Sequence, residues 1–282
     1  MRRVFIIAIA LIPGCAIFAT IRAQQSPSTV EAIHRPLDQI LDLYVRDGLV
    51  YYKALQSERA RLDRYVASLD VPSATYEAWS PLQKRAFWLN AYNALVLRTV
   101  IDRYPIRGKA PQFPASSIRQ IYGAFDKTEH QVAGRSVTLD EIEQEMLAGF
   151  KDPRLYLALG RGAVGSGRLR SEAFSADRLE KQLESVAADF LMHDQMIKVD
   201  RDAGVVSVTP ILSWREAEFV AAFDTGPTGA FAQRSPIERA IVAFVQPRLL
   251  PLERDFIQQN GFRMVFHPFD WRLNDLTGGR VD

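Results

Sequence analysis

Apolar residues return at helical spacing at Ile33, Leu37, Ile40, Leu41 and Tyr44, which predicts a helix over 30–44. Asp47-Gly48 stops it, and Leu49 to Tyr52 predicts a short strand. A second amphipathic stretch spans Arg59 to Leu69 and ends at Val71-Pro72. Ser80-Pro81 then supplies an N-cap followed by proline at the first helical position, so a helix runs from there to about Arg103. Val132 to Val137 predicts a hairpin turning at Ala133-Gly134. Thr138 with Glu141 three residues on is a capping-box pattern that opens a helix to Leu147. Further helices are expected over 175–192, 214–222 and 236–244. Alternation around Asp200–Gly204 predicts a hairpin of 197–199 with 205–209, and 263–267 predicts a last strand. Regular βα alternation is missing, so the pattern implies one helix-rich α+β domain with small antiparallel pieces, not a doubly wound sheet.

Two stretches break the ordinary pattern. In "AFWLNAYNALVLRTVIDRYP", residues 86–105, apolar side chains surround nearly the whole helix, which therefore belongs inside the protein. Asn90 and Asn93 share a face of it. Buried amides must find partners, so these two either clamp neighbouring backbone or line a polar pocket with Tyr92. The second stretch, "LALGRGAVGSGRL", contains Gly160-x-Gly162-x-x-Gly165, the literal dinucleotide fingerprint. A true fingerprint needs its third glycine to open a long helix against the pyrophosphate. Here Gly167 interrupts the would-be first turn and no apolar periodicity resumes before Leu179. A phosphate loop fails too, because Arg168 and Leu169 stand where Lys and Ser/Thr are required. The loop is expected to turn tightly and bind no nucleotide.

The chain of 282 residues has an ordinary globular composition, 48% apolar and 24% charged. Its start does not fit that picture. Arg2-Arg3 precede an apolar run from Val4, the pattern of a secretory signal, with cleavage expected after Ala23. A polar lead-in then occupies 24–34, and a single domain fills 35–282. Two alternatives stand beside export to the periplasm or medium. Val4–Ile21 is just long enough for an uncleaved anchor, and Ile12-Pro-Gly-Cys15 invites acylation of Cys15. Membrane attachment is expected only in those two cases. Cys15 is the sole cysteine, so a chain cut after Ala23 carries no disulfide, thiol nucleophile or thiolate ligand. The formal charge is +2, and residues 1–23 hold three arginines and no acid, which leaves −1 for the remainder. That balance gives no electrostatic footprint for nucleic acid.

"AFWLNAYNALVLRTVIDRYP", "VTLDEIEQEML", "KDPRLYLAL" and "FDWRLND" occur in this order. Together they resemble the bacterial and plant family known as domain of unknown function 547, over about residues 40–275. The resemblance implies a fold-level identity and no reaction. It also implies cysteine at the positions of Arg161 and Ser166, and histidine at those of Tyr156 and Gln144. The glycine loop therefore reads as a substituted site.

Without sulfur, the remaining chemistry is sparse. The four histidines, His34, His130, His193 and His267, have no partner at ligand spacing, so neither metal nor cofactor is expected. Catalytic candidates are Ser166 as nucleophile, His267 as base and Asp270 as its orienting acid, or carboxylates such as Glu143. Ligand-binding candidates are Asn90, Tyr92, Asn93, Arg161, Trp271 and Asn274, with Arg168 a further receptor for an anion. A non-catalytic domain that binds a small molecule or an envelope component is the leading expectation, and a hydrolase-like enzyme the alternative. The processed protein is expected to begin at Gln24; intact-mass measurement that finds Cys15 retained, free or lipidated, would overturn this.

Overall fold

A computed structural model describes residues 29–278. The expected signal segment, Cys15 and the start of the expected lead-in lie outside the described residues. Among the described residues, no helix is long and apolar enough to cross a membrane.

The chain opens with α1 (Thr29–Tyr44), which starts inside the expected lead-in. A two-residue ribbon follows, β1 (Val45–Arg46) with β2 (Leu49–Val50), turned by Asp47 and Gly48, both at positive φ. The strand expected to reach Tyr52 stops at Val50, because Tyr52 begins α2 (Tyr52–Ser57). Next come α3 (Ala60–Ser68), α4 (Ser73–Glu77) and α5 (Pro81–Ile101). The Ser80 hydroxyl accepts from Gln83 N, and the Gln83 side chain accepts from Ser80 N, so the expected start of α5 is a full capping box. Every residue of α5 from Ala86 to Leu97 is buried. Helices α1, α2 and α3 pack around it.

The hairpin of β3 (His130–Val132) and β4 (Arg135–Val137) turns as expected at Ala133-Gly134. It leads into α6 (Leu139–Glu141), capped reciprocally by Thr138 and Glu141. The helix expected to run on to Leu147 does not stay α-helical: Ile142–Leu147 forms a π-helical turn packed against α5. After α7 (Arg154–Leu157) the glycine loop crosses the molecule to α8 (Leu179–Leu191). The second half holds β5 (Ile197–Asp200), β6 (Val205–Val208), α9 (Ile211–Trp214), α10 (Glu216–Phe223), α11 (Pro236–Val245), α12 (Pro251–Gln258) and β7 (Arg263–Phe266). Strand β6 is central, antiparallel to β5 and parallel to β7. The parallel pairing departs from the expected antiparallel pieces. The chain between β6 and β7 passes through four helices, a crossover rather than a hairpin turn.

The glycine loop lies inside the protein. Residues 155–163 and 165–167 are buried. A Cβ on Gly167 would stand 1.7 Å from the Leu157 carbonyl oxygen, and one on Gly165 would stand 2.7 Å from Asp270 N. These glycines serve close backbone approach. The tail 270–276 laces alongside: Val164 N and Gly165 N donate to Arg272 O and Asp270 O, while Val50 N donates to Asn274 O and Leu276 N to Val50 O.

Candidate functional site

The site is built outward from α5. Asn90 Nδ2 donates to Phe174 O at 2.8 Å and its Oδ1 accepts from Phe174 N at 2.9 Å. Asn93 does the same to the next segment, donating to Ala158 O and accepting from Gly160 N at 2.8 Å. Both amides are thereby matched, and they fasten the entry and exit of the glycine loop to the core helix. Asn274 is used likewise: its Nδ2 donates to Gly48 O and its Oδ1 accepts from the Tyr52 hydroxyl at 2.7 Å. All three asparagines expected as ligand contacts therefore hold backbone in place. None lines the cleft that Trp271 walls.

That cleft, of about 390 Å³, is lined by Arg119, Phe125, Asp140, Glu143, Gln144, Arg161, Trp214, Arg215 and Trp271. At its floor Arg161, 3% exposed, meets Glu143 in a two-pronged pair, Nη2–Oε1 2.5 Å and Nε–Oε2 3.2 Å. Its Nη1 donates to Tyr156 O, and its backbone N donates to Ser166 Oγ at 3.0 Å. The Tyr92 hydroxyl donates to Glu143 Oε2. Burial opposes the Arg161 charge, and Glu143 outweighs it, so the guanidinium lies above its ordinary value. Burial, with Glu143 adding to it, keeps Tyr92 protonated well above the usual phenol range.

The four positions where the resemblance implied cysteine or histidine come together here. Gln144 and Arg161 line the cleft, while Tyr156 and Ser166 bind the Arg161 guanidinium and backbone. The π-helical turn brings Glu143 and Gln144 to it; such wide turns recur at functional sites. Across the mouth, Trp271 is held by the tail pairing, and Phe269 packs against both it and Trp214 at 4.4 and 4.9 Å between ring centres. The Arg119 guanidinium lies 4.5 Å from the Trp271 ring centre and 4.9 Å from that of Phe125. Arg215 is paired with Glu218.

Asp140 and Arg119 differ from every other charge in the cleft. Neither side chain has a hydrogen-bond or ion-pair partner among the described residues, whereas Glu143 is matched by Arg161 and Arg215 by Glu218. Burial first, then the neighbouring Glu143, raises the Asp140 carboxyl above its usual range, with Arg119 pulling the other way.

The expected catalytic set is arranged otherwise. Ser166 Oγ, 3% exposed, accepts the Arg161 N–H, and no hydrogen bond joins it to an imidazole among the described residues. His267 Nδ1 faces the Pro268 carbonyl at 3.0 Å, so that nitrogen carries the proton, and its buried Nε2 has no partner. Asp270 is bound by Arg272 through its side chain and backbone N, which holds the carboxyl below its usual range. Arg168, the other expected anion receptor, is engaged by Asp47 and His193 elsewhere on the surface. No group of three or more His, Cys, Asp or Glu able to hold a metal ion occurs among the described residues.

A helix-rich α+β domain with an arginine- and tryptophan-lined cleft beside a buried ion pair is thus the class the geometry defines. Residues 76–191 match the model of the family described as protein of unknown function, DUF547, which supports the resemblance that the motifs carry. The match is narrower than the 40–275 that the motifs suggested. It holds Arg119, Phe125, Asp140, Glu143, Gln144 and Arg161, while Trp214, Arg215 and Trp271 lie beyond it. No curated protein and no solved structure matches the chain.

Two outcomes follow from the pair and the lone acid. Arg161→Ala leaves Glu143 buried without its partner and is expected to cost about 3–5 kcal/mol in chemical denaturation, whereas Arg161→Met with Glu143→Leu falls closer to wild type. Asp140→Asn is expected to raise Tm at neutral pH. The folded state binds the Asp140 proton more tightly than the unfolded chain, so ionisation disfavours folding as pH rises through the carboxylate range. The gain should vanish in acid, where both states are protonated; a gain independent of pH would contradict the assignment.

Proposed function

We propose that this chain is an exported, non-catalytic binding domain whose cleft receives a small molecule carrying an anionic group. The observation that carries the reading is the Arg119 guanidinium. It lies over the Trp271 ring, 4.5 Å from its centre, with no hydrogen bond or ion pair from its side chain among the described residues, inside a cleft whose other two arginines are already matched. Arginine presents a fixed fork of donors suited to a carboxylate or phosphate. A cleft of about 390 Å³ with aromatic walls and a few polar groups has the dimensions and lining of a small-molecule site. Ser166 is committed to the Arg161 backbone, which supports binding over hydrolysis. Export rests on Arg2-Arg3 followed by the apolar run from Val4. An envelope setting fits the same feature.

Calorimetric titration with 3-phenylpropionate and with its neutral amide tests the cleft. The anion is expected to bind measurably and the amide not. Arg119→Ala should remove the anion's binding while leaving Tm within a degree or two, because Arg119 makes no ion pair among the described residues. Equal binding of acid and amide would end the anion reading.

A further inference from the structure

We propose that the ligand is a zwitterion, an α-amino acid with a large apolar side chain, whose carboxylate is received by Arg119 and whose ammonium is received by Asp140. This rests on the reading that the cleft binds an anionic group and names what else that ligand carries.

The cleft leaves open one cation and one anion. Among the described residues Arg119 makes no ion pair, and Asp140, half-buried, accepts no side-chain hydrogen bond. The two are near enough that the Arg119 charge acts on the Asp140 carboxyl, yet no ion pair joins them. The half-buried Asp140 carboxyl faces the cleft, so a ligand N–H can supply the donor that no described residue gives it. A purely anionic ligand fits less well. It would satisfy Arg119 while leaving Asp140, an acid of its own sign, without a partner. A zwitterion meets both open groups at once. Gln144, exposed on the same wall and without a hydrogen bond among the described residues, offers a further donor and acceptor.

The remaining surface sets the side chain. Trp214 is 42% exposed and stands with the part-buried Trp271 at the cleft, above the buried Phe125. An apolar side chain placed there removes that surface from water. The raised carboxyl also predicts a linked proton: an ammonium favours ionised Asp140, so binding near that carboxyl's titration releases a proton to the buffer.

Titration calorimetry on the purified full-length protein with L-phenylalanine, L-tryptophan and L-leucine, against 3-phenylpropionate and 2-phenylethylamine, decides this. At least one amino acid is expected to bind about ten- to a hundredfold tighter than either single-charge analogue, the range for one lost hydrogen bond between charged groups. Asp140→Asn should erase the advantage over 3-phenylpropionate while leaving that acid's own affinity unchanged or improved. Arg119→Gln should weaken both. Proton release, read from buffers of different ionisation enthalpy, should disappear in Asp140→Asn. If 3-phenylpropionate binds as tightly as every amino acid, the zwitterion is wrong and the anion reading stands. If no carboxylate binds at all, both fall.

Discussion

Helix α5 has no face that tolerates water. Its middle twelve residues, Ala86 to Leu97, are all buried, so the protein must supply a complete apolar jacket around it. Helices α1, α2 and α3 cover one side and the π-helical turn another. The remaining cover is irregular: the glycine loop lies against α5 without forming regular structure along its length. Irregular backbone inside a core carries donors and acceptors that water cannot reach, and each must be matched. Asn90 and Asn93 are the solution, two amides that bond both backbone groups of the segments they touch. Removing one strands two buried backbone groups, each worth about 1–3 kcal/mol.

Because the loop is pinned at 158–160 and 173–174, Arg161 has a fixed origin. Its guanidinium can then be buried against Glu143 with good geometry, which is what a buried pair requires to offset desolvation. Ser166 closes the loop onto the Arg161 backbone, and the tail lies in the groove beside Val164 and Gly165. Trp271 projects from that tail into the cleft mouth. The core helix, the loop, the ion pair and the aromatic wall are thus consecutive consequences of one packing demand.

Much of this was legible in the sequence, and the losses have physical causes. The buried helix followed from apolar residues on every side, and its start from Ser80-Pro81. The failure of the glycine fingerprint followed from Gly167 and the missing helix, since a dinucleotide site is a strand, turn and helix together. Partners at a distance were not legible. Nothing local says that Asn93 reaches Gly160, or that Asn274 reaches Gly48, 226 positions away. Arg161 was named as a receptor for an anion, but its commitment to Glu143 depends on the π-helical turn, which helical periodicity does not announce. Arg119, Asp140 and Trp214 escaped notice as ligand contacts for the opposite reason: each looks like an ordinary surface residue in a short polar segment. The significance of Arg119 and Asp140 is the absence of a hydrogen-bond or ion-pair partner among the described residues, and that of Trp214 its exposed face at the cleft, which only three dimensions reveal.

The cleft draws on two parts of the chain with different duties. Four of its charged residues, Arg119, Asp140, Glu143 and Arg161, come from the stretch that matches the family model, whereas Trp214, Arg215 and Trp271 come from beyond it. Groups that hold the floor together are matched to each other, and their loss threatens the fold. Arg119 and Asp140 are spared from that task, and Asp140 stands where ionisation works against folding. A protein under selection for stability alone has simple ways to remove such a strain, an amide at position 140 among them. The carboxyl is better understood as held ready for something that arrives, and the aromatic wall as the surface against which it arrives.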